Sequence, residues 1–307
     1  MHILAVIAAA VLFGTTGTAQ ALGPEGTTPL SVGVTRLVIG GTALAAIGFA
    51  LARRHRQRTG SPARGATARD LALMATTGVC LAAYQPLFFL GTARNGVAVG
   101  TVIALGSAPV IAGIIEWALT HRRPGGTWMI ATALAAIGVV MLGVGGDAGS
   151  IAGADPVGIL GSIGAGASFA VFANAQRRLM DTGWDPFTVA GAMGATSAIV
   201  AALALPFVDL AWLATPAGVA MSLWLGIATI AIAYTLFTWG LLRLSAATAA
   251  TLTLAEPITA SLLGIVVLGE RLSPLAIGGL VVLAAGLVLL AWGARTPRDP
   301  RPYAIEA

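Results

Sequence analysis

The chain has 307 residues, 57% of them apolar and only 9% charged, whereas an ordinary soluble domain carries about 25% charged residues. A soluble fold has no interior large enough for that apolar surface, so a water-soluble enzyme or binding domain is excluded. All 17 basic residues are Arg, set in short clusters between long uncharged runs. The basic pI of about 10.6 therefore describes loops facing an anionic membrane surface rather than a nucleic-acid patch. Cys80 is the only cysteine, which rules out an intrachain disulfide and a cysteine-cluster metal site.

The first apolar run, residues 3–22, has the look of a signal peptide because Ala19-Gln20-Ala21 offers small residues around a cleavage position. It lacks a basic flank before the run, and its loss would leave an odd number of spans, so a retained first helix is expected. A membrane crossing needs about 20 mainly apolar residues. Runs of that kind follow at 30–51, 70–91, 96–119, 127–144, 156–176, 187–207, 217–241, 245–268 and 275–293, which makes ten predicted spans with almost no soluble portion.

The connection after the second span carries Arg53, Arg54, Arg56, Arg58, Arg64 and Arg69, and positive charge in short loops marks the cytoplasmic side. Ten spans then put both termini inside. Arg122, Arg123, Arg177, Arg178, Arg243, Arg295, Arg298 and Arg301 fall on the same side, leaving Arg94 and Arg271 outside. Trp117, Trp128, Trp239 and Trp292 lie at predicted inner helix ends, where interfacial aromatics belong.

The two halves repeat. Phe88, Gly91 and Arg94 close the third span with the same Phe-x-x-Gly-x-x-Arg spacing with which Phe237, Gly240 and Arg243 close the eighth. Pro29-Leu30-Ser31-Val32 opens the second span as Pro186-Phe187-Thr188-Val189 opens the seventh, and Pro109 and Pro257 are 148 residues apart, as are Gly138 and Gly286. Five spans per half is odd, so the second half must enter the membrane upside down, the inverted-repeat architecture of many secondary transporters with a solute site near the midplane. The expected fold is all-α, ten transmembrane helices in two inverted five-helix repeats at 1–149 and 150–293, followed by a cytoplasmic tail at 294–307.

Candidate functional residues are polar or aromatic side chains inside the spans. Glu256, near the middle of the ninth span, must face a cavity, find a partner or be protonated. Arg36 in the second span is a candidate partner, with a structural or gating role, and Pro109 and Pro257 each remove a backbone hydrogen bond and favour a kink that serves gating or static shape. Tyr84 and Phe88, Phe169 and Phe172, and Tyr234 and Phe237 are spaced to share helix faces. With Gln85, Leu105 and Ser107 they form an aromatic wall with few polar groups, suited to a small, partly apolar solute. The Gly158, Gly161, Gly164, Gly166 run is read as tight helix packing, and Glu116, one turn from a helix end, as solvated. No phosphate loop, metal-ligand cluster or mid-span His is present, so no cofactor, bound metal or catalytic site is expected.

Leu254-Ala255-Glu256-Pro257 through Leu268-Gly269-Glu270-Arg271-Leu272-Ser273 resembles the Glu-Pro then Leu-Gly-Glu-Arg stretch of the EamA-type exporters, ten-helix members of the drug/metabolite transporter superfamily. Arg36 fits the same pattern, while Ala108-Pro109 to His121-Arg122-Arg123 lacks a glutamate at both matching positions. Ala83-Tyr84-Gln85-Pro86-Leu87-Phe88-Phe89 is similar to bacterial aromatic amino-acid and metabolite exporters. The resemblance implies an inner-membrane carrier that exports amino acids or related metabolites by alternating access. The alternative is efflux of lipophilic cations with Glu256 as counter-charge. The implied partners are a small-molecule solute and the lipid bilayer, with no nucleic acid, and a monomer suffices.

Overall fold

Helix starts are written into the chain as a Ser, Thr or Asp followed by Pro: Thr28-Pro29, Asp155-Pro156, Asp185-Pro186, Thr215-Pro216 and Ser273-Pro274. In each pair the first side chain accepts a backbone N–H of the opening turn, and the Pro occupies a position where no donor is needed. The computed structural model describes residues 1–60, 65–145 and 155–294. The expected repeat boundary at 149/150, the tail from 295, and Arg64, Arg295, Arg298 and Arg301 lie outside the described residues.

The helices are α1 His2–Ala21, α2 Pro29–Thr59, α3 at 68–95, α4 at 97–120, α5 Gly126–Val144, α6 Pro156–Asp181, α7 Pro186–Ala202, α8 Pro216–Gly240, α9 Ala246–Leu268 and α10 Pro274–Gly293. No strand occurs among the described residues. The stretch Ala68–Thr120 runs as 53 helical residues broken at Gly96. Unbroken it would reach about 80 Å, against a hydrocarbon core about 30 Å thick. Gly96 has φ 79° and ψ 156°, a conformation open essentially to glycine alone, and there the chain reverses without a loop. With that break, the described residues make ten crossings. Helical structure continues past the apolar run in α2, through Arg53, Arg54, Arg56 and Arg58, and stops sooner than expected in α7, where a short 3₁₀ turn at Leu205–Phe207 replaces its last turn and a second follows at Ala211–Ala214.

Eight helices form a ring. Packed neighbours run α9, α1, α8, α2, α7, α3, α6, α4 and back to α9, while α5 and α10 pair with each other beside α4 and α9. Every ring helix is therefore flanked by helices of the other repeat. Where equivalent helices meet, glycine brings the backbones together. A Cβ on Gly194 of α7 would lie 2.6 Å from the Gly41 carbonyl of α2. In the other pair, Gly138 of α5 abuts Gly279 and Leu283 of α10, and Gly286 of α10 abuts Ala131 and Ala135 of α5. Adding 148 to 131, 135 and 138 gives 279, 283 and 286, so the two sets of contacts are one set related by the two-fold of the inverted repeat. Without a hydrophobic force between helices in lipid, such close approach supplies the cohesion.

The matched prolines do not have matched effects. The α4 helix passes through Pro109 without interruption, whereas α9 breaks between Leu252 and Ala255. Pro257 has no N–H to offer, and the Thr253 carbonyl instead takes the Glu256 N–H at 2.9 Å. Glu256 thus sits in the first turn of a new half-helix near mid-membrane. The α8 helix departs differently, widening into a π-helical segment at Trp224–Ile232.

Candidate functional site

The ring encloses the polar residues that the apolar runs had left isolated. Arg36 of α2 is buried, 9% exposed, and its Nη2 donates to Thr229 Oγ1 of the α8 π segment at 3.1 Å. Thr229 in turn donates to the Leu225 carbonyl, which leaves its lone pair turned to Arg36. The Arg36 Nε–H is buried with no acceptor. Arg36, Tyr84, Tyr234 and Glu256 lie within electrostatic reach of one another, yet Arg36 and Glu256 form no ion pair within 4.0 Å. One cation, one carboxyl and two phenols from α2, α3, α8 and α9 are thus grouped within electrostatic reach, with both repeats contributing.

Aromatic side chains surround this group in two parts. Tyr84 stacks on Phe88 at 5.9 Å and 9°, and both are half-buried. Phe169 and Phe172 of α6 pack edge-on with Tyr234 and Phe237 of α8, with centroids 4.7 to 6.4 Å apart, and Phe13 of α1 joins at 5.0 Å from Tyr234. Phe172 and Phe237 are fully enclosed; this second part is a packed plug joining three helices, with Tyr234 as its polar edge.

Three further candidates lie elsewhere. Gln85 is buried on a crevice of about 160 Å³ between α2, α3 and α7, lined by Gly33, Leu37, Phe89 and Ala201 among others, with Gln85 its only polar side chain. Leu105 packs with Val139, Leu254 and Leu283 toward α5, α9 and α10. Ser107 donates to the Ala104 carbonyl and sits against Gly166, in the seam between α4 and α6. Sequence reasoning missed Thr229, a lone hydroxyl in an otherwise apolar run, and Phe13, which has no spaced aromatic partner on its own helix.

At the end of the bundle that holds the N-terminus, polar contacts join helices both across the repeats and within the second one. Glu116 Oε2 of α4 accepts the Ala247 N–H at the start of α9 at 3.0 Å, so the carboxylate that was expected to be solvated caps a helix of the other repeat. Gln176 of α6 accepts from Thr238 of α8 at 3.1 Å, Asn174 donates to the Ala112 carbonyl at 3.3 Å, Thr132 and Thr251 share a hydrogen bond of 3.0 Å, and Arg177 donates to the Leu241 carbonyl at 2.6 Å. At the opposite end Arg94 pairs with Asp155 at 3.0 Å. The Val157 N–H and the Arg94 guanidinium hold that exposed carboxyl below its ordinary range.

An inverted pair of five-helix units closed around a small polar centre is the construction of a membrane transporter. The chain belongs to the EamA-like transporter family, whose pattern matches residues 1–144 and again 156–292. It is 41% identical over 290 residues to the uncharacterized transporter YwfM of Bacillus subtilis (strain 168), covering 94% of this chain and 93% of that one. A solved crystal structure 20% identical in sequence superposes with a TM-score of 0.76 over 96% of this chain and 97% of its own, a likeness of fold.

Proposed function

We propose that this transporter exports amino acids, including aromatic ones, or related small metabolites by alternating access of its two repeats, at 1–149 and 150–293. It resides in the cytoplasmic membrane with both termini and the Arg-rich connections inside, and the tail at 294–307 in the cytoplasm. The observation that carries the reading is the grouping of Arg36, Tyr84, Tyr234 and Glu256 within electrostatic reach of one another, with Tyr84 stacked on Phe88 and Tyr234 packed among Phe13, Phe172 and Phe237. A zwitterion with an apolar side group matches both halves of that environment: charges for its two ionic groups, rings for the rest. Tyr84 and Phe88 face the solute, Phe169, Phe172 and Tyr234 back it, Gln85, Leu105 and Ser107 shape its path, and Pro257 hinges α9 beside Glu256, with Pro109 its continuous counterpart. Efflux of lipophilic cations, the alternative reading, would use Glu256 alone, and the Arg36 charge within its reach works against a cation there.

Counterflow into proteoliposomes loaded in turn with single amino acids and with cationic dyes tests the assignment. Exchange of aromatic or branched amino acids supports it. Exchange of dyes alone transfers the site to the alternative.

A further inference from the structure

The Arg36 guanidinium spends little of its hydrogen-bonding capacity on the protein. Of its five N–H donors, one meets Thr229 Oγ1 through Nη2, and the Nε–H is buried with no acceptor. Glu256, the carboxyl nearest in charge, stands outside ion-pair distance. An Arg keeps its proton even in a poorly solvated place, and an unpaired cation with orphaned donors in mid-membrane is costly. A carboxylate from outside the chain removes both costs at once, since two oxygens in a plane match the planar donor fork and bring the compensating charge.

The surroundings are built to present that fork. Thr229 is held by its own bond to the Leu225 carbonyl within the π segment Trp224–Ile232, a widened turn of the kind that recurs at functional sites. It fixes one edge of the guanidinium, and Tyr84, Tyr234 and Glu256 lie within electrostatic reach of its charge. Glu256 heads a half-helix in the other repeat, placed to meet an ammonium group while Arg36 meets the acid.

We infer that Arg36 is the carboxylate receptor of the transport site, with Thr229 as its positioning residue, so that the solutes carried are defined by a carboxylate beside an apolar group, with the amine secondary. This rests on the amino-acid reading above and narrows it: an acid lacking the amine binds, and an amine lacking the acid does not.

The test compares L-phenylalanine, 3-phenylpropionate and phenethylamine as ligands of the purified protein in detergent, each read by the rise it causes in the thermal unfolding midpoint, alongside counterflow of phenylalanine. In the wild type both carboxylates raise the midpoint and the amine does not. In Arg36→Gln both rises disappear while unliganded unfolding stays cooperative. Arg36→Lys, which keeps the charge but not the fork, weakens carboxylate binding about tenfold and stands in if the Gln variant fails to fold. Thr229→Val raises KM for phenylalanine with the maximal rate retained. Stabilisation by the amine equal to that by the acids, carboxylate binding undiminished in both Arg36 variants, or equal loss for every ligand overturns the inference while phenylalanine counterflow leaves the amino-acid reading standing. Absence of both binding and counterflow in the wild type removes the two together.

Discussion

Replacing Gly138 by Ala puts a methyl group 2.5 Å from the backbone nitrogen of Leu283 and 2.7 Å from the carbonyl oxygen of Gly279. Neither atom can turn aside as a side-chain tip can. Ordinary contact begins at 3.4 Å, so α5 and α10 must part by nearly 1 Å, loosening every other contact along the seam. Overpacking of this kind costs about 1 to 3 kcal/mol, offset by the helix preference of Ala over Gly, about 1 kcal/mol. Gly17→Ala isolates the second term, because a Cβ there meets nothing within 4 Å. Gly138→Ala should therefore be about 1 to 3 kcal/mol less stable than Gly17→Ala in a denaturing titration from mild detergent into dodecyl sulfate, followed by circular dichroism. Gly286→Ala, whose Cβ would meet Ala131 and Ala135 at 2.8 and 2.9 Å, should fall by a similar or smaller amount. The double variant should lose less than the sum, since one separation of the helices relieves both clashes. Equal stability of Gly138→Ala and Gly17→Ala would refute the claim that backbone contact holds this pair together.

Tyr84→Ala removes one stacked ring and should raise KM for an aromatic solute about tenfold with normal membrane insertion; an unchanged KM for every solute exchanged takes Tyr84 out of the site. Glu116→Ala should cost about 1 kcal/mol by exposing the α9 N-terminus, and Glu116→Gln, which retains an acceptor, less, both read in the same unfolding titration; identical losses would show that a neutral acceptor contributes nothing at Ala247 and that the carboxylate charge carries the whole effect. With Cys80 replaced, single cysteines at Gly60 and Asp209 should react with impermeant maleimide from opposite faces of oriented vesicles, and labelling of both from one face contradicts the inverted topology. A pH gradient without a solute gradient should drive no accumulation, because Arg36, the cation near Glu256, stays charged and offers no relay; accumulation that disappears in Glu256→Gln would establish proton coupling instead.

The ten crossings were legible because a bilayer demands long apolar runs, and Thr-Pro, Asp-Pro and Ser-Pro pairs punctuate them. The order of helices around the ring was not. A side chain facing lipid and one facing another helix are equally apolar, so Leu105 and Ser107 gave no sign that they belong to the α5/α9/α10 side and the α4–α6 seam. Spacing put Tyr84 and Phe88 on a common face correctly, but Gln85, one residue on, turns about 100° away to the crevice beside α7. Thr229 was invisible because its role depends on a π turn that no local pattern announces. Pro109 and Pro257 read alike in sequence. Only α9 breaks, and the surroundings of each proline, not the proline alone, decide whether the freed carbonyl finds another donor.

The alternation of the two repeats around the ring bears on how the molecule is made. During synthesis the first five helices enter the bilayer before any of their ring neighbours exist, since α1, α2, α3 and α4 each pack between helices that have yet to be translated. The surfaces of Gly41, Gly78 and Gly138, shaped for a facing backbone, must be occupied meanwhile by lipid that fits them poorly. The nascent first half is thus an assembly intermediate that cannot close on itself, and the second half has to thread its helices one by one into the gaps. A chain truncated after α5 would remain an unfinished palisade open to membrane proteases, while two halves synthesised separately could restore the carrier only by interleaving, like the fingers of two hands.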